Sequence, residues 1–401
     1  MAEIITFKKR KDIEADKAAE ARLIGIDVLR GLSVMGMILV AYAGDWAHRF
    51  GVLNHADWHG LALADLIFPA FLFCAGVTLP LSLSRRAEAG KGGLVGHIAI
   101  RVVLLFLLGL FLNLLPHFDF AHVRIMGILQ RIALAWGAVA LFAIVVTRGE
   151  TFKPKILPFF VAAVVLVLGY AILLRVWNAP GCGPACFDSS HSLPTVIDRA
   201  VLTVPHLWPY GLTDGQVTFD PEGLLSTLGA IVNVLIGVIA GIYVQQRGIR
   251  GALGGLALSG LILVIIGLGF DGGIPIIKKI WTPSFALYSA GTSLLLYALL
   301  SLISDVWGAG WSRAALTPMR VFGANATLAF IGISLLDTVA QLPLVMQSNN
   351  VAMSTHDAAA NWLGSVIPNA PLASVTYSFI LLLILLAVLW PLYSRRIFLK
   401  L

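Results

Sequence analysis

The stretch Asn54-His55-Ala56-Asp57-Trp58-His59-Gly60, followed by Leu63-Ala64-Asp65-Leu66-Ile67-Phe68-Pro69, gathers two histidines and two carboxylates in one short segment. Histidine, with an unperturbed pKa of about 6.5, can take or give a proton near neutral pH. A carboxylate beside the ring can orient it for general acid–base work. His55 is therefore the candidate base or acyl carrier, and Asp57 or Asp65 the candidate to orient it. Trp58 and His59 stand where they could meet a substrate. The plain alternative is a loop histidine bonded only to backbone.

Other ionisable groups fall inside apolar runs, where they pair or line a cavity. Asp27 and Arg30 are three apart and share a helical face; they form a local ion pair, or Arg30 meets an anionic ligand. Arg101 lies two turns into its own apolar run, and with Arg30 could hold phosphate. Arg124 and Arg131 are seven apart and are read on one helical face. Arg131 then lies roughly 10 Å below the surface at 1.5 Å per residue, with Asp65 as its partner or with a role in lining the site. Phe219-Asp220-Pro221-Glu222-Gly223 reads as a helix start. Its two carboxylates would equally suit a cationic or hydroxyl-rich acceptor. Asn325 is a buried amide that either joins helices or serves the site. Cys182 and Cys186 would pair in an oxidising compartment. Only His191 is near them, so no metal site is expected. Cys74 is read as packing, and the glycines from Gly251 to Gly255 as close helix packing.

These groups need elements to hold them. The 401 residues are 58% hydrophobic and 12% charged, with a mean hydropathy of +0.89. Soluble domains carry about 25% charged residues. Runs of roughly 20 apolar residues, each enough to cross a bilayer core, recur near 23–44, 62–83, 94–115, 124–147, 155–177, 223–245, 252–270, 283–304, 318–340 and 373–393. The fold class is an all-α polytopic membrane protein of about ten spans. Residues 1–22 form a cytoplasmic tail and 23–401 a single transmembrane domain. Lys8-Lys9-Arg10-Lys11, Arg85, Arg86, Lys91, Arg148, Lys153, Lys155, Arg247, Arg250, Arg313, Arg320, Arg395, Arg396 and Lys400 all fall on one side, which the positive-inside rule makes the cytoplasm. Both termini then lie there. Loops 45–61, 178–222 and 341–372 are external. The net charge of +7 serves topology and implies no nucleic acid.

The motifs Leu29-Arg30-Gly31, His55-Ala56-Asp57-Trp58-His59-Gly60, Asp65-Leu66-Ile67-Phe68-Pro69, Arg124-Ile125-Met126-Gly127-Ile128-Leu129-Gln130-Arg131, Ile197-Asp198-Arg199, Phe219-Asp220-Pro221-Glu222-Gly223 and Lys279-Ile280-Trp281-Thr282-Pro283-Ser284 occur in this order. From about residue 22 onward the chain resembles the heparan-α-glucosaminide N-acetyltransferase family and its bacterial members. The resemblance implies acetyl transfer across a membrane, from cytosolic acetyl-CoA to the amine of a glucosamine or glucosaminide outside. It implies His55 as the catalytic histidine, a bacterial inner-membrane location and a homodimer. Acetyl-CoA would meet Arg30, Arg101, Arg124 and Arg131. The acceptor would meet Trp58, His59, Asp220, Glu222, Lys279, Trp281 and Asn325. Ala41 stands where relatives commonly carry asparagine. A rival function is an amino-sugar or glycan-fragment transporter, which would favour broken helices and repeat symmetry.

Overall fold

The structure, a computed structural model, describes residues 24–86, 90–147, 152, 154–308, 310–346 and 352–399. Helices dominate: α1 Ile24–Ala41, α2 Ile67–Ser84, α3 Gly90–Leu114, α4 Ile128–Val146, α5 Ile156–Val176, α6 Leu193–Leu202, α7 Thr227–Asp271, α8 Pro283–Ser301, α9 Gly310–Ala315, α10 Thr317–Ala324, α11 Ala326–Ala340, α12 Thr355–Val366 and α13 Ala370–Ser394. Lipid offers no hydrogen bonds, so a spanning segment must pair its own backbone, and a helix does so locally. Among the described residues, strand is confined to three two-residue-stranded hairpins in the connecting loops.

Among the described residues, eight helices are long and apolar enough to cross a membrane, and one bent pair raises the number to nine. The expectation of ten counts α7 as two spans, which its break at Gly248 supports. That helix has 45 residues and is interrupted at Gly248, whose φ of 66° and ψ of 158° are not helical. The two halves fold back, since a Cβ on Gly229 would stand 2.3 Å from the Trp281 carbonyl oxygen and one on Gly267 would stand 2.9 Å from that of Ser284, and each half is long enough to cross a bilayer core. The run near 318–340 is not one straight span either: α10 and α11 meet at 87°. The tail segment Lys8-Lys9-Arg10-Lys11, together with Arg148, Lys153 and Lys400, lies outside the described residues.

Side chains cap several helices. Asp305 accepts the N–H groups of Ile24 and Gly25 at 2.7 and 2.9 Å, satisfying the free donors of the first turn of α1. Thr282 caps α8 through the Phe285 N–H, with Pro283 in the first turn. Two helices meet without intervening side chains where α2 crosses α7. A Cβ on Gly76 would stand 2.1 Å from the Val234 carbonyl oxygen, and one on Gly237 would stand 2.2 Å from that of Phe73.

Burial divides into two main apolar cores. The larger joins α2, α4, α7 and α8; the smaller joins α10, α11 and α13. Helix α1 walls both, through Ile26, Val28 and Leu29 on the first and Val34 and Ile38 on the second. The loops after α1, before α4, before α7 and before α8 meet at one end of the bundle. Arg85, Arg86, Lys91, Lys155, Arg247, Arg250, Arg395 and Arg396 belong to connections or helix ends at the other. Cys182 and Cys186 form a disulfide. Among the Gly251–Gly255 glycines, only Gly255 faces a tight contact, the Tyr243 ring.

Candidate active site

The chain leaves α1 at Ala41 and re-enters the bundle through a 3-10 turn, Leu63–Leu66. That turn buries Asp65 completely, with Oδ1 2.7 Å from His55 Nδ1. Oδ2 accepts the backbone N–H groups of Ala62 at 2.8 Å and Ala56 at 3.2 Å. Asp65 is thus fixed by three hydrogen bonds. His55 keeps 38% of its side chain exposed, and its Nε2 has no hydrogen-bond partner among the described residues. Partial burial and the charge of Lys278 lower the ring's proton affinity, against the pull of Asp65. The result is a neutral ring that donates Nδ1–H to the carboxylate and carries a lone pair on Nε2.

Of the two carboxylates expected near His55, only Asp65 orients it. Asp57 is exposed and offers its backbone oxygen to Lys279 Nζ. His59 is exposed as well. Gly60, at φ 95°, turns the chain so that its N–H reaches the Ile276 carbonyl at 2.9 Å. Trp58 donates Nε1–H to the Phe187 carbonyl at 2.6 Å and meets the Phe219 ring edge-on at 5.0 Å. The Lys279 ammonium lies 5.1 Å from the Phe219 centroid. Trp58, Phe219 and Lys279 together form a rim with an aromatic and a cationic side.

Beneath the rim lies a layer of charge. Arg124 donates Nε–H to Asp220 at 2.8 Å, and Nη2–H groups to Asp220 and Glu222, each at 2.5 Å. Burial would lower its pKa, but the two carboxylates hold it above the ordinary arginine value. The sequence reading changes here in three ways. Arg124 precedes α4 rather than riding on it. Its guanidinium is occupied, so it is not available as a contact for acetyl-CoA. Asp220 and Glu222 are buried partners of that guanidinium rather than an open acceptor mouth, and α7 starts only at Thr227. Buried charges are expensive unless paired, and these three pair with one another.

Arg131, fully buried near the start of α4, donates to the Gly223 carbonyl at 3.1 Å and to Ser226 Oγ. Its Nε and Nη1 find no partner among the described residues. Asp65 is not its partner, because His55 holds that carboxylate. The guanidinium lies 4.9 Å from the Trp281 ring. Trp281 is itself fully buried, so it cannot stack on a sugar as expected. It donates Nε1–H to Asn233 Oδ1 at 2.8 Å and is braced edge-on by Phe68 and Phe285. Its φ of 47° is unusual for a bulky residue. Such strain costs about 1–3 kcal/mol and persists only where packing over-determines it.

Two groups in this layer were given no role by the sequence reading. Asp198 accepts the Leu224 N–H at 2.8 Å, and burial pushes its carboxyl up to about 7. Burial lowers the proton affinity of Lys278, against the charges of Glu222 and Asp65. The sequence offered one signal for it. Asp65, Asp220 and Glu222 outnumber Arg124 and Arg131 by one charge, and the Lys278-Lys279 pair can supply the missing cation.

At the opposite end, Arg30 pairs with Asp27 at 2.6 Å and donates Nε–H to the Gly323 carbonyl at 2.6 Å. Arg101 lies 4.2 Å from the Trp136 ring, and its buried Nε has no partner among the described residues. It is within electrostatic reach of Arg30 and Arg86. Asn325 is away from the His55 cluster, at the break between α10 and α11. Its amide donates to the Ile397 carbonyl at 3.1 Å and accepts the Leu399 N–H at 3.0 Å. It latches the chain after α13 rather than touching an acceptor.

Residues 22–252, which include the His55–Asp65 pair and the Arg124 cluster, match a family model described as heparan-alpha-glucosaminide N-acetyltransferase, catalytic. Over 362 residues the chain is 30% identical to the heparan-alpha-glucosaminide N-acetyltransferase of Homo sapiens, an alignment covering 79% of this chain and 53% of that protein. The Mus musculus protein of the same name is 27% identical over 367 residues, covering 81% and 55%. The chain spans about half the length of the curated relatives it matches. Since the family model takes in more than half of its residues, the chain belongs to the heparan-α-glucosaminide N-acetyltransferase family.

Proposed function

We propose that the chain is a membrane acetyltransferase. It moves the acetyl group of acetyl-CoA, taken from the cytosolic side, to the amine of a glucosamine or glucosaminide on the external side. In this reading the bilayer is a bacterial inner membrane, and the active form is a homodimer. The observation that carries the reading is the His55 ring, held by a buried carboxylate at 2.7 Å with Nε2 free at a half-open rim.

The amine nitrogen attacks the thioester carbonyl carbon while His55 Nε2 accepts the amine proton. The tetrahedral intermediate collapses, the carbon–sulfur bond breaks, and the coenzyme thiolate takes the proton back from the imidazolium. Positioned bases of this kind are worth about 10²–10⁴ in rate. Trp58 supports the acceptor as an aromatic face, and Lys279 as a donor to hydroxyl groups. Arg101, whose buried Nε has no partner among the described residues, and Arg30 beside it favour an anionic donor at the opposite end.

The test is transfer by purified protein. Wild type should acetylate glucosamine or a glucosaminide from acetyl-CoA, and His55→Ala should abolish transfer while keeping the folded size-exclusion profile. Wild-type rates in His55→Ala would remove His55 from the chemistry. Counterflow of labelled amino sugar in proteoliposomes lacking coenzyme A, with no acetylation, would favour the transporter instead.

A further inference from the structure

We infer that the acceptor site extends to a second sugar, whose pyranose ring lies on Tyr210 and Trp208, so that a short glycan ending in glucosamine is favoured over the free monosaccharide. The inference rests on the acetyl-transfer reading above and adds to it the part of the acceptor that does not react.

Four aromatic rings run outward from the His55 loop. Trp58, three residues after His55, meets Phe219 edge-on at 5.0 Å. Phe219 meets Trp208 at 6.4 Å, and Trp208 meets Tyr210 edge-on at 5.8 Å. Phe219 is buried and joins the two sides of the row; Trp58 and Trp208 are half-buried, and Tyr210 is 74% exposed. The row therefore continues the rim of the His55 site out to an open ring.

The outer rings stand on a fixed support. The Trp208 carbonyl accepts the Gly211 N–H at 2.9 Å, closing a turn around Pro209 and Tyr210. The Gly211 carbonyl accepts the Thr218 N–H at 2.8 Å, and a Cβ on Gly211 would stand 1.9 Å from the Phe219 carbonyl oxygen. The turn thus lies directly on the segment that carries Phe219. On its other side, the His206 carbonyl accepts the Ile125 N–H at 3.1 Å, and His206 donates Nδ1–H to the Val123 carbonyl at 2.8 Å. Leu207 packs in a buried cluster with Met126 and Leu202. The Arg124 guanidinium lies 5.8 Å from the Trp208 centroid and is itself held by Asp220 and Glu222.

This mount fixes the chemistry of the ligand. A pyranose carries a face of C–H groups edged by hydroxyls, so it covers an aromatic face while its polar groups stay in water. Tyrosine and tryptophan supply broad, rigid contact at a small entropy cost, and aromatic walls beside a few polar groups are the usual lining of such sites. A glucosamine on Trp58 with its amine at His55 has the Trp208–Tyr210 pair beside it for the sugar that follows. Arg124 is committed to its carboxylates, so the outer position selects by ring contact rather than by charge.

The experiment measures transfer from acetyl-CoA by the full chain in detergent, with glucosamine and the glucosamine dimer of chitosan as acceptors. Wild type should favour the dimer by about tenfold in kcat/KM, carried by KM, the scale of one well-packed aromatic contact. Tyr210→Ala should erase that preference. Tyr210→Phe keeps the ring without its hydroxyl and should retain it. The inference is overturned by a wild type that does not favour the dimer, by a Tyr210→Ala variant that slows both acceptors equally, or by equal loss of preference in Tyr210→Phe. Wild type that acetylates neither acceptor would instead bring down the acetyl-transfer reading itself.

Discussion

The His55–Asp65 contact makes a sharp demand on one atom pair. Asp65 accepts three N–H groups, two of them from backbone. An asparagine there must turn its NH2 group either onto a backbone N–H or onto His55 Nδ1. The first is repulsive, and the second forces the ring proton onto Nε2 and removes the base. Asp65→Asn should therefore lower kcat about 10²–10⁴-fold with little change in KM, read by steady-state transfer. The wild-type pH profile has a definite sign. Protonated His55 cannot accept a proton, and its pKa is lowered, so the acid limb should fall below the ordinary value of about 6.5. An acid limb above 7 would contradict the joint effect of burial and the Lys278 charge. At this scale the sequence was informative about His55, whose neighbours crowd it in one motif. It was uninformative about Lys278 and Trp281. Lys278 and Lys279 are the same residue type one position apart, and only the folded turn decides which head is engaged by Asp57. Asp220 and Glu222 were misread for a related reason: their partner, Arg124, is 96 and 98 positions away.

Among the elements, hydropathy made the spans legible because lipid permits few alternatives to a helix. It also located the break in α7, since the runs near 223–245 and 252–270 are parted at Gly248, but not the bend between α10 and α11. Gly248 interrupts α7 by a local backbone conformation, and Asn325 sits at the α10–α11 bend, where its side chain latches the chain after α13. Asn325→Ala should remove two hydrogen bonds to the Ile397–Leu399 backbone and leave those groups unsatisfied. The expected cost is about 1–3 kcal/mol, measured as thermal or chemical unfolding in detergent. Carboxypeptidase should also trim the variant faster, while kcat stays within about threefold. A large loss of transfer with unchanged stability would return Asn325 to the acceptor site where its sequence position first put it.

For the whole molecule, the expected orientation follows from the cationic end of the bundle facing the cytoplasm. Tyr210, 74% exposed, belongs to the loop system around the site, and Lys91 to the opposite end. In intact cells, a membrane-impermeant maleimide should label Tyr210→Cys but reach Lys91→Cys only after permeabilisation. The reverse pattern would invert the proposed direction of transfer. The two cores give this orientation a mechanical corollary. Arg30 and the last residue of α1 are eleven positions apart, roughly 16 Å along a stiff rod, and the segment that follows the rod leads into the His55 loop. On the acetyl-transfer proposal, a donor that tilted α1 on docking near Arg30 would shift the segment leading into the His55 loop. Reciprocity would then require an acceptor that moves this loop to change donor affinity by the same factor.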